Sequence, residues 1–235
     1  MICGVFTGCG KSKDDDKVLT MATNATFPPY EYYDGNKIVG IDADIAAAIA
    51  DKLGMTLDIQ DTEFGSIITG VQTGKYDMGM AGMTVNEERQ QSVNFTKSYA
   101  KGIQVVIVKK GSDIKSIDDI AGHKIGVQQD TTGHIYATDD YGDDSVVPFN
   151  KATDTVAALE SGKVDCVIID NEPAKSYVKS YDDLEILSTS YADEDYAICI
   201  AKDNTELMDK VNKALDELIA DGTVQKIVDK YISAE

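Results

Sequence analysis

The chain has 235 residues, of which 43% are hydrophobic and 27% are charged, so it can bury the core of one large domain or of two smaller ones. These proportions are typical of a soluble globular protein. A net charge of −19 and a pI near 4.3 argue against a nucleic-acid-binding protein, because phosphate backbones are bound by basic surfaces.

The start of the chain differs from the rest. Residues 1–9 are apolar or small and end at Cys9, and a polar, charged run follows. This segment resembles the end of a bacterial lipoprotein signal, in which Cys9 is acylated and becomes the first mature residue. We therefore expect residues 1–17 to be a signal remnant and a linker that anchors an extracytoplasmic protein to the bacterial cell membrane, with a fortuitous apolar start as the alternative. No later run approaches transmembrane length.

The first half of the chain alternates predicted strands and helices. Residues 18–22 predict a strand, and the next loop holds Phe27 in front of two prolines that stiffen it. Asp34-Gly35 lies between two strand-like runs and predicts a hairpin. Four apolar residues spaced by four then predict an amphipathic helix that ends at Gly54. The other elements predicted in this half are a strand over 55–60, a helix over 66–73 and strands over 76–80 and 102–108.

The second half continues this alternation. Asp170 follows a predicted buried strand and precedes Pro173, so it can cap a helix with proline in its first turn. Cys166 and Cys199 lie in apolar runs, which favours buried free thiols, although a disulfide between them is also compatible with the sequence. No cysteine or histidine cluster predicts a metal site, and we expect no cofactor. The predicted elements are a short helix over 117–121, a strand over 124–127, helices from 134 and over 155–160, strands over 164–169, 184–188 and 196–201, and helices over 206–220 and Thr223–Tyr231.

An internal repeat indicates two similar lobes. The segment GVQTGKYDMGMAG (70–82) resembles ALESGKVDCVIID (158–170), so that Gly74 corresponds to Gly162 and Asp77 to Asp165. Each copy ends in a polar loop at the carboxyl end of a strand, which is where open α/β sheets bind ligands. Two such lobes facing each other would place these loops across one cleft.

The segment MGMAGMTVNEERQQSVNFTKSY contains Arg89, the only arginine among 22 basic residues. A guanidinium group can hold a carboxylate through two parallel hydrogen bonds, which lysine cannot do. Asn86 is a good N-cap for a short helix, and Thr84 with Glu87 offers a capping box as an alternative start. Either start places Arg89 near a helix N-terminus, where anions are favoured. The sequence therefore predicts an anion clamp, with a surface salt bridge as the alternative.

Six ordered segments of the chain resemble the extracytoplasmic solute-binding proteins of polar amino acid ABC importers. They are ATNATFPPYEY, DGNKIVGID, AGMTVNEERQQSVNFTKSY, GVQQDTTG, VIIDNEP and DYAICIAKDN, and the resemblance runs from residue 18 to residue 235. It implies a two-lobed, periplasmic-binding-protein-like α/β fold in which two hinge strands let the lobes close around a free amino acid. Lobe 1 would comprise residues 18–99 and 196–235, lobe 2 would comprise 103–192, and the hinges would lie near 99–103 and 192–196.

The resemblance also implies how the carboxylate of the amino acid is bound. In this family the arginine of a T-x-x-x-x-R segment binds the α-carboxylate, which is here Arg89 helped by Thr84. Backbone groups of a Gly-Thr-Thr-Gly-like loop complete that half of the site, here around Thr131, Thr132 and Gly133.

For the rest of the ligand, the resemblance implies that Asp170 and the Gly82 carbonyl oxygen bind the α-ammonium group, and that Phe27 and Phe64 sandwich the side chain. Taken alone, Asp170 could be an ordinary helix cap and the two aromatic residues could belong to the core. A zwitterion buried in a cleft is unfavourable unless each charge meets a hydrogen-bonded opposite partner, and one arginine and one aspartate at facing strand ends meet that requirement.

Two positions depart from the family pattern. Asn24 stands where several relatives that bind glutamine or basic amino acids have aspartate, and Asp130 stands where the loop commonly has glycine. The missing charge at Asn24 favours a neutral polar ligand, and Gln128 is the further side chain expected to contact it. Glutamine or cystine is the favoured ligand, followed by arginine or histidine.

We therefore expect a monomeric, non-enzymatic binding protein that captures a polar L-amino acid outside the membrane and delivers it to the permease of an ABC importer. One alternative is a dehydratase-type enzyme on the same fold, for which Glu172 is the only obvious acid–base residue in the matched loops. The other alternative is a sensory ligand-binding module.

Overall fold

The computed structural model describes residues 18–188 and 190–232, so the predicted lipidation site Cys9 and the predicted linker lie outside the described residues. The strands are β1 (Val18–Thr23), β2 (Thr26–Phe27), β3 (Glu31–Asp34), β4 (Lys37–Val39), β5 (Thr56–Asp61), β6 (Met78–Gly79), β7 (Val93–Phe95), β8 (Ala100–Lys109), β9 (Ile125–Gln128), β10 (Val146–Phe149), β11 (Cys166–Asp170), β12 (Leu184–Ile186), β13 (Ala192–Tyr196) and β14 (Cys199–Ala201). The helices are α1 (Ile41–Leu53), α2 (Phe64–Gln72), α3 (Glu87–Ser92), α4 (Thr132–Tyr141), α5 (Ala152–Glu160), α6 (Asn171–Val178), α7 (Thr205–Ala220) and α8 (Thr223–Tyr231).

The strands form two main sheets, and each sheet is the centre of one lobe. The first sheet has the order β5-β1-β6-β14-β7, with β1 parallel to both β5 and β6. The second has the order β10-β9-β11-β8-β12, with β13 also paired to β8 and with β9 parallel to both β10 and β11. Strands β2, β3 and β4 form a small antiparallel sheet. The two-lobed α/β fold predicted from the sequence is confirmed.

Helix α1 shows why local sequence was a good guide to the helices. Its isoleucines Ile41, Ile45 and Ile49 are fully buried, and each such burial contributes about 1.5–3 kcal/mol relative to leaving the side chain in water. The apolar stripe packs the helix onto the first sheet and against α7. The helix ends where Gly54 adopts a left-handed conformation and its N–H bonds back to the carbonyl oxygen of Asp51.

The internal repeat is visible in the hydrogen bonds of the two lobes. The N–H of Gly74 bonds to Val71 O after α2, and the N–H of Gly162 bonds to Leu159 O after α5. Each copy also uses its aspartate in the same way. Asp77 accepts a hydrogen bond from the Thr20 N–H (2.7 Å), and Asp165 accepts one from the Lys124 N–H (2.8 Å). The repeated aspartate therefore ties its own segment to the neighbouring strand in both lobes.

Strands β8 and β13 run side by side through the segments where hinges were predicted. They pair antiparallel, with Tyr196 opposite Ala100 and Glu194 opposite Gly102. The prediction of one strand over 196–201 is wrong, because β13 ends at Tyr196 and pairs in the second sheet, whereas β14 starts at Cys199 and pairs in the first. The chain therefore crosses from the second sheet to the first between Tyr196 and Cys199.

Other predicted elements differ in detail. Strand β10 was not predicted. It contains Pro148, and it is an edge strand, where proline is tolerated. The strand predicted over 76–80 is limited to Met78–Gly79, and the predicted helix over 117–121 is a 3-10 turn over Ile117–Asp119. Cys166 and Cys199 are both buried and free.

Candidate functional site

A cavity lies between the lobes, at the carboxyl ends of β1, β6, β9 and β11. Its lining contains ten of the eleven residues predicted at the site, all but Gly133, together with two that were not predicted, Glu31 and Ala81. The lining residues are Asn24, Phe27, Glu31, Phe64, Ala81, Gly82, Thr84, Arg89, Gln128, Thr131, Thr132 and Asp170. The structure thus brings the predicted contacts together, while their individual roles stay predictions.

Arg89 is buried at the wall of this cavity rather than lying on the surface. The side chain of Asn86 caps α3 by accepting a hydrogen bond from the Arg89 N–H (2.8 Å), so the alternative helix start at Thr84 is wrong. The guanidinium donates from Nη1 to Thr84 O (2.7 Å) and from Nη2 to Asp130 O (3.0 Å). It also lies over the ring of Phe64, with Cζ 5.1 Å from the ring centroid. These contacts hold the only arginine of the chain in one orientation at the cavity.

Asp170 enters the cavity from lobe 2. It occupies the N-cap position of α6, but its side chain makes no capping hydrogen bond, so the expectation that it caps the helix is wrong. Instead, the carboxylate accepts a hydrogen bond from the hydroxyl of Tyr196. Burial and the nearby carboxyl group of Glu194 raise the pKa of Asp170 well above its usual range. A cation placed in the cavity would relieve both effects.

The predicted aromatic pair lies on lobe 1. Phe27 stacks on Tyr30 with ring centroids 5.9 Å apart, and Phe64 faces the guanidinium of Arg89. Gly82 has a φ of 52°, and a Cβ atom there would lie 2.8 Å from the ring of Phe27. Only glycine therefore fits at this point of the wall, where its backbone can reach the cavity.

Two amides meet across the lobes at another part of the wall. Gln128 donates from Nε2 to Asn24 Oδ1 (2.9 Å), and Asn24 donates from Nδ2 to Thr62 O (2.7 Å). Asn24 comes from the end of β1 in lobe 1, whereas Gln128 is the last residue of β9 in lobe 2. This pair presents hydrogen-bonding groups of both kinds beside the cavity and carries no charge.

The loop after β9 is built around Thr131 and Thr132. Thr131 caps α4, because its hydroxyl accepts a hydrogen bond from the His134 N–H, and the helix starts at Thr132 rather than at 134. The same hydroxyl donates to Gln128 O (2.7 Å). Both threonines line the cavity, which places the first turn of α4 at its wall.

Sequence reasoning missed a set of buried acidic groups around the site. Glu31 lines the cavity, and its neighbour Asp42 accepts hydrogen bonds from the Gly82 N–H (2.8 Å) and the Tyr99 hydroxyl (2.9 Å). Burial and Asp42 raise the pKa of Glu31 well above its usual range, and burial raises the pKa of Asp42 to about 6. No local sequence signal separates these two residues from the other acidic residues of the chain.

Known proteins match the whole of this architecture. The model of the family described as bacterial extracellular solute-binding proteins, family 3, matches residues 19–234. The arginine-binding extracellular protein ArtP of Bacillus subtilis is 34% identical, over 98% of this chain and 93% of its own length. An ancestral arginine-binding protein bound to glutamine is 40% identical with a TM-score of 0.88, over 92% of this chain and 98% of that one. An ancestral arginine-binding protein bound to arginine is 41% identical with a TM-score of 0.86, over 92% of this chain and 98% of that one.

Proposed function

The chain belongs to family 3 of the bacterial extracellular solute-binding proteins, and from this premise we infer that its cavity holds one polar L-amino acid for delivery to the permease of an ABC importer. Relatives in this family are named for the amino acids that they bind. Closure of the two lobes would enclose the ligand, and the ligand would stabilise the closed state because it contacts both lobes.

The observation that carries this proposal is the pairing of Arg89 and Asp170 in one cavity. Arg89 is provided by lobe 1 and Asp170 by lobe 2, and both line the space between the lobes. A free amino acid carries an anion and a cation a few bonds apart, and burying it requires an opposite charge for each. We propose that Arg89 takes the α-carboxylate and that Asp170 takes the α-ammonium group, with the first turn of α4 beside the carboxylate.

For the ligand side chain we favour glutamine. The amides of Asn24 and Gln128 line the cavity without adding charge, which suits a neutral amide, whereas a guanidinium is a cation with five donors and no acceptor. Arginine is the second candidate, because Glu31 adds a carboxyl group to the cavity lining. Burial raises the pKa of Glu31 and so disfavours its charged form, which favours the neutral ligand.

An enzymatic role has less support. Glu172, the acid–base candidate of the dehydratase hypothesis, does not line the cavity and accepts a hydrogen bond from Lys175 Nζ (3.1 Å). The named relatives are binding proteins. Within residues 18–188 and 190–232, no helix combines the length and the apolar character needed to cross a bilayer. Anchoring through a lipid on Cys9 stays a proposal.

A thermal-shift screen tests the proposed function. The common L-amino acids, cystine and ornithine are each added at millimolar concentration, and melting is followed by fluorescence. A ligand with a micromolar Kd should stabilise the protein by about 4 kcal/mol, which corresponds to roughly 10 °C for a chain of this size. We expect L-glutamine to give the largest shift, followed by L-arginine. A screen in which no amino acid shifts the melting temperature would overturn the proposal.

The variant Arg89→Lys tests the carboxylate clamp within the same screen. Lysine keeps the positive charge but loses the fork that donates to two acceptors, so we expect the affinity measured by calorimetry to fall at least tenfold. The unliganded melting temperature of the variant shows whether it folds. An affinity equal to that of the unaltered protein would contradict the assignment of Arg89.

A further inference from the structure

Glu194 is a buried carboxyl group for which the predicted site has no role. It lies on β13, one of the two paired hinge strands, and it is only 5% exposed, which is rare for an acidic side chain. Its Oε2 accepts hydrogen bonds from Thr84 Oγ1 (3.0 Å) and from Gln104 Nε2 (3.0 Å). Thr84 lines the cavity, and Gln104 lies on β8, the other hinge strand. Glu194 therefore links both hinge strands to the wall of the site.

The second carboxyl oxygen of Glu194 indicates that a proton is bound nearby. Oε1 is buried and has no hydrogen-bond partner among the described residues, and an isolated carboxylate oxygen in that position is unfavourable. Asp170 lies beside Glu194, and a neighbouring carboxyl group disfavours ionisation of Asp170. The hydroxyl of Tyr136 also lies near Glu194, but a proton on Asp170 is the donor that would in addition relieve the repulsion between the two carboxyl groups. Burial and Glu194 also raise the pKa of Asp170 well above its usual range.

Among the residues that the structure describes, no cation is bonded directly to this pair. The guanidinium of Arg89 donates to the carbonyl oxygens of Thr84 and Asp130 rather than to either carboxyl group. The titratable groups that face the pair are Arg89 on α3, Tyr136 on α4, Tyr196 on β13, Tyr30 before β3 and Glu31 on β3. The neutral Gln104 on β8 and Thr84 complete its surroundings.

We propose that Glu194 is a positioning residue for the ammonium half of the site, which fixes the hydroxyl of Thr84 as an acceptor and shares with Asp170 a proton that is released when the ligand binds. Because the hydroxyl hydrogen of Thr84 is used in the bond to Glu194, the hydroxyl oxygen has only lone pairs to offer the cavity. Thr84 therefore accepts from the ammonium group rather than donating to the carboxylate.

The proton balance of this step is simple. In the unliganded protein the pair Asp170–Glu194 holds one proton and one negative charge. When a zwitterionic amino acid enters with its ammonium group charged, the shared proton passes to the solvent and leaves two carboxylates facing that ammonium group. The affinity should therefore rise as the pH rises through the titration of the pair, by up to about tenfold per pH unit.

This inference rests on the proposed function, and calorimetry separates the two. L-glutamine and L-arginine are titrated into the protein between pH 5 and pH 8, in pairs of buffers with different ionisation enthalpies, so that protons released per ligand are counted. We expect up to one proton to be released, with the affinity falling at low pH. If neither amino acid binds, the proposed function fails and the inference fails with it. If one binds with no proton release at any pH, only the inference is overturned.

The variant Glu194→Gln tests the residue itself. Its amide oxygen can still accept from Thr84, but the variant cannot share a proton, so we expect proton release near zero and about tenfold weaker binding at pH 8. Asp193→Asn, on the same strand but exposed, is the matched control and should match the unaltered protein. Thr84→Val should weaken binding while proton release persists. A folded Glu194→Gln variant with unchanged proton release would overturn the proposal. If the variant does not fold, the proton release measured for the unaltered protein decides the question.

Discussion

At the scale of single residues, the preference for a neutral ligand depends on Asn24. Its Oδ1 accepts from Gln128 and its Nδ2 donates to Thr62 O, so both ends of the amide are used at the cavity wall. Aspartate has nearly the same shape and would keep the bond from Gln128, but it would lose the bond to Thr62 O and add a negative charge beside the ligand side chain. That charge would favour a cationic side chain over an amide.

We therefore predict that Asn24→Asp changes the ligand preference. The ratio of the affinity for L-arginine to the affinity for L-glutamine should rise about tenfold, because one added ion pair in a partly buried site contributes on the order of 1–2 kcal/mol. Calorimetry with both amino acids measures this ratio. Asn36→Asp, in the exposed hairpin turn of lobe 1, adds the same charge away from the cavity and is the control. An unchanged ratio in Asn24→Asp would show that the ligand side chain does not approach residue 24.

The residues of the site were predictable to different degrees, for a physical reason. Arg89 is unique in its chain, and it lies in a motif whose spacing is local. In contrast, Glu31, Asp42 and Glu194 are three of 41 acidic residues, and only the folded chain brings them to one place. Burial of an acidic side chain depends on which distant segments cover it, so no local pattern indicates it.

At the scale of secondary-structure elements, the helices were predicted better than the strands. The period of apolar residues in α1 and the glycine after it are local signals, and the predicted ends of α1 and α8 agree with the structure. The break between β13 and β14 has no such signal, because the two strands differ only in the sheet to which they pair. Strand pairing is non-local, and a continuous apolar run does not show where the chain changes partner.

The contact between α2 and the loop after β9 leads to a prediction about closure. A Cβ atom on Gly65, in the first turn of α2, would lie 2.1 Å from Oδ2 of Asp130, which belongs to the other lobe. Asp130 has a φ of 64°, in the left-handed region that favours glycine. We predict that Gly65→Ala hinders closure and weakens amino acid binding about five- to tenfold, since a clash of this kind costs on the order of 1 kcal/mol or more. Calorimetry measures the affinity.

The double variant Gly65→Ala with Asp130→Gly checks that the loss of affinity comes from contact between the two lobes. Removing the Asp130 side chain makes room for the new methyl group and also relieves the left-handed backbone, so binding should recover. Ser66→Ala, one residue further along the same exposed turn, should leave the affinity unchanged. If the double variant binds as weakly as Gly65→Ala, the loss does not come from contact between the lobes.

At the scale of the whole molecule, the internal repeat was the strongest predictor of the fold, because two copies of one hydrogen-bonding pattern require two similar sheets. The repeat does not encode how the lobes meet. Their meeting places buried acidic groups beside one another at the cleft, in a chain that already carries a net charge of −19. The stability of the unliganded protein should therefore depend on pH, and the sequence alone does not indicate how.

We predict that the unliganded protein is more stable near pH 5 than near pH 7.5. Burial raises the pKa of Asp42 from 3.8 to about 6, and burial also raises the pKa values of Glu31 and Asp170. A group whose pKa is raised in the folded state stabilises the fold fully below its unfolded pKa, and that contribution is lost as the pH rises through the folded value. For Asp42 alone the loss is on the order of 3 kcal/mol between pH 4 and pH 7.

Chemical denaturation at a series of pH values measures this trend as the free energy of unfolding. Asp42→Asn should flatten the trend, because its amide oxygen can still accept from the Gly82 N–H and the Tyr99 hydroxyl but does not titrate. Asp51→Asn, on the exposed face of the same helix, should leave the slope as it is. Ligand affinity is expected to change in the opposite direction with pH, since an amino acid requires the carboxylates that acid neutralises. A free energy of unfolding that rises from pH 5 to pH 7.5 would show that the buried acidic groups are ionised in the unliganded fold.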